Sequence, residues 1–143
     1  LRFVTFEAHP LPPEAMLRAQ AAFPALAPEA DALADHWRAG ETRIRRSDLD
    51  FTLIAGDARQ TVPRWTGRAD AWFLDGFAPA RNPQMWEPAL LQAVADRTAP
   101  GGTVATYTAA GAVRRALADA GLEVARVPGY GRKRHMTTAR RPR

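Results

Sequence analysis

Three short β-prone runs in this chain each stop at a carboxylate: Phe3-Val4-Thr5-Phe6 at Glu7, Phe51 to Ala55 at Asp57 after one glycine, and Ala71-Trp72-Phe73-Leu74 at Asp75. Helical patterns separate them, and strands alternating with helices point to an α/β fold with a largely parallel sheet. A single acid can simply end its strand, because Asp and Glu disfavour strand interiors and Asp favours turns. Three on successive strands mean more, since ligands of open α/β sheets bind beyond the carboxyl ends of the strands. The expectation is that Glu7, Asp57 and Asp75 line one crevice. Carboxylates so placed accept hydrogen bonds from a ribose diol, accept from an adenine amino group, or orient and deprotonate an amine. Three acids around magnesium in a phosphoryl-transfer enzyme form a rival reading, one that lacks the phosphate-cradling glycine loop such enzymes use.

The pattern between and after these runs completes the α/β reading. Helices are expected over Pro13 to Phe23, Pro28 to Trp37, Gln84 to Thr98 and Gly111 to Ala120, with a weaker one from Ala58 to Trp65 that contains Pro63. Met16, Leu17, Ala21 and Phe23 are the apolar positions of the first. Met85, Leu90, Leu91 and Val94 form a buried stripe on the fourth pattern, and Val113 and Leu117 stand at i and i+4 on the last. Thr42 to Arg45, Thr103 to Tyr107, Leu122 to Val127 and His135 to Ala139 read as further strands, with Pro100-Gly101-Gly102 as the turn from the preceding helix into the second of them. Ala71 to Leu74, continuously apolar, reads as a strand covered on both faces. Only a turn around Gly129 to Gly131 separates the final two strands, which predicts an antiparallel pair. With no internal repeats and a length of 143 residues, residues 1–143 are expected to form a single domain.

Composition narrows the function. The absence of cysteine excludes a disulfide framework, a thiolate nucleophile and Cys-type zinc sites. His9, His36 and His135 show no ligand spacing, so no metal is expected. Apolar stretches are far shorter than the roughly 20 residues of a spanning helix, and the N-terminus carries no signal pattern, so a cytoplasmic protein without membrane contact is expected. The formal net charge of +5 is uneven: residues 1–75 carry −2 and residues 76–143 carry +7. Arg132-Lys133-Arg134 is the densest basic run, followed by Arg140, Arg141 and Arg143. Such a run suits phosphates, whose neutralisation releases counterions; a solvated face or, for the last three, a ragged tail is the bland alternative.

The loop Asp75-Gly76-Phe77-Ala78-Pro79-Ala80-Arg81-Asn82-Pro83 is the most distinctive stretch. Two prolines stiffen it, which suits a loop that holds an acceptor and a ring in fixed positions. Phe77 reads equally as a ring for stacking on a nucleobase and as a packed core ring, whereas Trp86 reads as core.

The run from DAWFLDGFAPARNPQMW through PGGTVATYT and AGAVRRAL to GYGRKRHM resembles the methyltransferase domain of the bacterial bifunctional tRNA 5-methylaminomethyl-2-thiouridine biosynthesis protein. The similarity extends upstream through FVTFEAHPL and FTLIAGDAR. The resemblance implies a Rossmann-like sheet with helices on both faces. It also implies S-adenosyl-L-methionine as cofactor, and methylation of the 5-aminomethyl group of 5-aminomethyl-2-thiouridine at the wobble position in the tRNA anticodon region. By resemblance Glu7 serves the cofactor ribose, Asp57 the adenine, and Asp75 the reacting methyl and amine, with Phe77 holding the uracil. Arg114, Arg115, Arg132, Lys133 and Arg134 are the expected tRNA-binding cations. In such bifunctional proteins an FAD-dependent oxidase domain makes the amine beforehand. This chain is expected to contain neither that domain nor FAD, leaving the oxidase step to another domain or protein. No GxGxG segment precedes Phe3, so the methyltransferase domain is expected to be N-terminally incomplete. A non-catalytic tRNA-binding remnant is the alternative that follows.

Overall fold

The computed structural model describes residues 1–131 and 133–143. The chain is an α/β protein with seven strands and five α-helices among the described residues, and it divides into two compact units, Leu1–Asp57 and Ala58–Arg143.

In the first unit, β1 (Arg2–Glu7) pairs in parallel with β3 (Asp50–Ala55), and the short β2 (Arg43–Arg45) pairs antiparallel on the other side of β3. Two helices, α1 (Pro13–Gln20) and α2 (Ala27–Arg38), form the crossover from β1. The prolines explain their bounds. Pro13 and Pro28 occupy first-turn positions where a missing N–H costs nothing, and Pro24 stops the first helical pattern short of Phe23. Phe23, expected among the apolar positions of that helix, therefore lies beyond the end of α1 and is exposed. The core of this unit is aromatic and aliphatic. Trp37 of α2 meets Phe51 edge-on with ring centroids 5.2 Å apart, Phe3 stacks on Phe51 at 6.0 Å, and Ile44 is fully buried.

The second unit holds a four-stranded sheet in the order β4-β5-β7-β6. Its strands are β4 (Ala69–Phe73), β5 (Thr98–Thr106), β6 (Glu123–Pro128) and β7 (His135–Arg140). β4 and β5 run parallel, while β7 pairs antiparallel with β5 and with β6, the latter as the short Gly129–Gly131 turn requires. The helices are α3 (Ala58–Arg64), α4 (Pro88–Asp96) and α5 (Gly111–Asp119). Leu90, Leu91 and Val94 of α4 and Val113 and Leu117 of α5 are buried with Val104 and Ala139 of the sheet, as the helical spacing predicted, whereas Met85, expected in the same stripe, precedes α4 and is half-buried. Half-buried Trp72 of β4 packs edge-on against Trp65, centroids 5.7 Å apart.

Three local expectations are corrected. The helix expected from Gln84 to Thr98 is split into a 3-10 turn (Pro83–Trp86) and α4, because Pro88 forces Glu87 into an extended conformation at ψ 142°. Pro100-Gly101-Gly102 does not separate helix from strand: β5 begins at Thr98 and the register against β4 slips between Ala69 and Ala71. The extra residues are held by pairing on the opposite edge, with Gly101 N–H donating to the Arg141 carbonyl and Arg141 N–H to that of Gly102. Finally, β4 is not covered on both faces. Strand alternation puts Ala71 and Phe73 opposite Trp72, and both are exposed.

Candidate functional site

The carboxyl ends of β1 and β3 lie side by side. Glu7 is in register with Ala55, and the Gly56 N–H donates to the Glu7 carbonyl at 2.9 Å, extending the parallel ladder past the last strand residue. Gly56 has φ 129°, a conformation an L side chain rarely adopts, so glycine is needed where the chain leaves β3. Asp57 follows at once and is half-buried, while Glu7 is exposed and accepts a hydrogen bond at Oε1 from the Thr5 hydroxyl at 3.2 Å. The structure therefore brings Glu7 and Asp57 to adjacent strand ends of one unit. Asp75 belongs to the second unit.

There, the Leu74 N–H donates to the Ala105 carbonyl at 2.9 Å, carrying β4 pairing one residue further, and Asp75 emerges exposed at the carboxyl end of the parallel β4–β5 pair. The loop beyond it is tied down from within. Buried Trp86 donates from Nε1 to the Phe77 carbonyl at 2.8 Å, and the Ala78 carbonyl accepts from the N–H groups of Arg81 and Asn82 at 2.7 and 3.1 Å. The Phe77 ring is 75% exposed, which removes the packed-core reading for it; Trp86 is the core ring, as its position suggested. A cavity of about 220 Å³ opens beside Asp75 and is lined by Phe73, Leu74, Thr106, Tyr107, Tyr130 and Met136 along with Ala105. Phe77 is not among the lining residues. Sequence reasoning passed over Tyr107 and Tyr130. The signal was an aromatic residue at the end of the ATYT strand and another held between two glycines.

Of the expected tRNA-binding cations, Arg114 and Arg115 sit in the first half of α5, and Lys133 and Arg134 are exposed in the β6–β7 connection. Arg115 is exposed, whereas Arg114 is half-buried with Nε unpaired among the described residues. Arg132 lies outside the described residues. The connection itself is closed by Gly129 N–H to the Arg134 carbonyl and Lys133 N–H to the Tyr130 carbonyl, both 3.1 Å. A Cβ at position 129 would run into the Lys133 carbonyl, so only glycine fits there. Arg140 and Arg141 are no ragged tail: Arg140 Nε donates to the Gly101 carbonyl at 3.2 Å, and Arg141 caps the end of α4. Among the described residues no group of three or more His, Cys, Asp or Glu is placed to hold a metal, and no helix is long and apolar enough to cross a membrane.

The carboxyl ends of parallel strands, where these acids stand, are where Rossmann-like α/β sheets bind their ligands. Residues 24–142 match the family model described as S-adenosyl-L-methionine-dependent methyltransferase. The chain belongs to that family. It is 46% identical, over 99% of its length, to the tRNA 5-methylaminomethyl-2-thiouridine biosynthesis bifunctional protein MnmC of Caulobacter sp. strain K31, of which it covers 24%. It is also 46% identical to the protein of that name from Pseudomonas aeruginosa strain UCBPP-PA14, over 95% of this chain and 22% of the relative. The chain thus spans about a quarter of the length of these curated relatives. Among solved structures, MnmC2 from Aquifex aeolicus superposes with a TM-score of 0.73 at 26% identity, over 96% of this chain and 43% of that one. The SAM-bound amino pentose methyltransferase CalS10 from Micromonospora echinaspora shares the fold, with a TM-score of 0.52 at 19% identity, over 98% of this chain and 83% of that one.

The acceptor set at the strand ends has the chemistry for this cofactor. Carboxylates are acceptor-only when ionised, which matches the O–H groups of a ribose diol and the N–H groups of an adenine amine. Glycine at position 56 leaves the backbone bare where the chain turns out of β3.

Proposed function

We propose that this chain supplies the S-adenosyl-L-methionine-dependent step in which the aminomethyl group at C5 of a tRNA wobble uridine is N-methylated. The observation that carries this reading is the 46% identity, over 99% of the chain, to proteins named for that modification. The exposed cations Arg115, Lys133 and Arg134 suit an RNA backbone, since each neutralised phosphate releases counterions. Half-buried Arg114 and, outside the described residues, Arg132 complete the proposed tRNA-binding set.

In this reading Glu7 accepts hydrogen bonds from the cofactor ribose and Asp57 accepts from the adenine amino group. Bound cofactor supplies an electrophilic sulfonium methyl. Asp75 accepts a hydrogen bond from the substrate amine at a carboxylate oxygen, aims its lone pair and takes up the proton that the amine must lose. Phe77 presents an exposed ring on the same tethered loop for stacking on a base of the tRNA. Fixing amine and methyl in line supplies much of the acceleration, so the protein's task is placement. The oxidase step that prepares the amine is assigned to a separate domain or protein, in keeping with the word bifunctional in the relatives' name.

The test is methyl transfer from labelled S-adenosyl-L-methionine to tRNA that carries the aminomethyl group. Wild-type chain should label it, and Asp75→Asn should lose at least about 100-fold in kcat while binding cofactor normally. Normal turnover by Asp75→Asn would overturn the role of Asp75, and no labelling of aminomethylated tRNA by the wild type would overturn the reading.

A further inference from the structure

The cavity beside Asp75 is small and mostly apolar. Its volume of about 220 Å³ falls below the roughly 300–1,000 Å³ of pockets for drug-sized ligands, too little for a purine nucleoside with an amino-acid tail but enough for a single ring. Two of its lining rings stand out. Tyr107 directly follows β5 and is 56% exposed; Tyr130 tips the β6–β7 connection and is 85% exposed. Exposed rings gathered around one carboxylate, with exposed Phe73 beside them in the lining, need a partner surface, unlike Leu90, Leu91, Val104, Val113 and Leu117, which are buried in α4, α5 and the sheet. A flat heterocycle carrying a basic arm fits all parts of this lining at once. Its faces suit aromatic side chains, its arm suits the Asp75 carboxylate, and the flexible thioether of Met136 can fill space around its edge.

We propose that Tyr107 and Tyr130 form the slot that receives the target pyrimidine, setting which base reaches Asp75; this rests on the tRNA reading above. The two tyrosines are specificity-determining residues of the methyl transfer, and the slot admits one ring at a time. A base that enters it must leave the anticodon stack, which favours a nucleotide in a single-stranded loop over one in a duplex. The loop that carries Tyr130 also carries Lys133 and Arg134, so the element that contacts the ring continues into cations suited to the flanking phosphates.

The experiment compares binding of two anticodon stem-loop RNAs by the whole chain, one with 5-aminomethyluridine at the wobble position and one abasic there. The wild type should prefer the loop that has the base by about tenfold or more, the scale of stacking on aromatic side chains. Tyr107→Ala and Tyr130→Ala should each erase most of that preference by weakening only the base-containing loop, and Tyr107→Phe and Tyr130→Phe should restore it. Alanine variants that keep the wild-type preference would overturn the inference, while methylation of aminomethylated tRNA by the wild type would leave the tRNA reading standing. Absence of both methylation and preference would overturn the two together. A second measurement needs no variant: a stem-loop with 5-iodouridine at the wobble position should photocrosslink to the peptide containing Tyr107 or Tyr130, and crosslinks confined to other peptides would overturn the slot.

Discussion

Arg141 donates from Nη1 to the Thr98 carbonyl at 2.8 Å, and the same nitrogen reaches the carbonyls of Ala95 and Asp96 at 2.9 and 3.1 Å. One guanidinium thus serves the carbonyls left open at the C-terminal end of α4, where the helix dipole also favours a cation. Replacing Arg141 by Ala removes the charge-assisted donor and leaves part-buried acceptors without it. The expected loss is about 2 kcal/mol, a fall in Tm of roughly 4–8 °C by thermal unfolding. Arg143→Ala, which removes an exposed cation of the same charge, should shift stability by less than about 0.5 kcal/mol.

Trp86 anchors the Asp75–Pro83 loop through its hydrogen bond to the Phe77 carbonyl, and Gly76 lies close enough that a Cβ there would sit 3.2 Å from the Trp86 ring. Trp86→Phe keeps most of the buried surface and deletes the donor. Stability should fall by about 1 kcal/mol. Methyl transfer should fall more steeply, on the order of tenfold in kcat, because the loop places Asp75 and small misplacements are costly. Equal effects on both would indicate that the bond supports the fold alone.

Leu117 is completely buried on α5, so Leu117→Ala should destabilise the chain by about 2–5 kcal/mol, measured by denaturant unfolding. An effect below about 1 kcal/mol would mean that the helix face was assigned wrongly.

The α/β pattern and the strand-end acids were legible because they depend on local chemistry: β-prone runs, prolines at helix starts, and acids where strands stop. Glu7 and Asp57 come to adjacent strand ends because β1 and β3 pair in register, which the sequence anticipates only through strand alternation. Arg141 was opaque for the opposite reason. Its partners are more than forty residues away, and a terminal Arg-Arg-Pro-Arg run has no periodic signal to separate a cap from a solvated tail. Pro100-Gly101-Gly102 misled because its usual meaning as a turn is overridden by pairing with residue 141 across the sheet. Tyr107 and Tyr130 escaped because a cavity joins residues from β5 and from the β6–β7 connection, and no spacing in the chain encodes that junction.

Lys133 and Arg134 are exposed and contribute through their backbones to the connection that Gly129 closes, so their side chains can be removed without disturbing it. Lys133→Ala with Arg134→Ala should weaken tRNA binding and lower the slope of log K against log salt by about 1.4–1.8, the loss of two phosphate contacts. Cofactor affinity should stay within about twofold. A parallel loss of cofactor affinity would point to misfolding.

Glu7 offers the sharpest separation of binding from folding. Its carboxylate is exposed and accepts from the Thr5 hydroxyl, while its backbone carbonyl takes the Gly56 N–H that finishes the ladder. Glu7→Gln preserves that backbone bond and the side-chain length, but replaces an acceptor-only group with one that has a single acceptor oxygen and two donors. A ribose diol then loses a charged acceptor, which should weaken S-adenosyl-L-methionine by about 10- to 100-fold in Kd by calorimetry while Tm stays within roughly 2 °C. Gly56→Ala gives the contrasting result, because an alanine at φ 129° strains the turn out of β3 and should lower Tm together with cofactor affinity. Unchanged cofactor affinity in Glu7→Gln would remove Glu7 from the binding set and leave its backbone bond to Gly56 as its whole contribution.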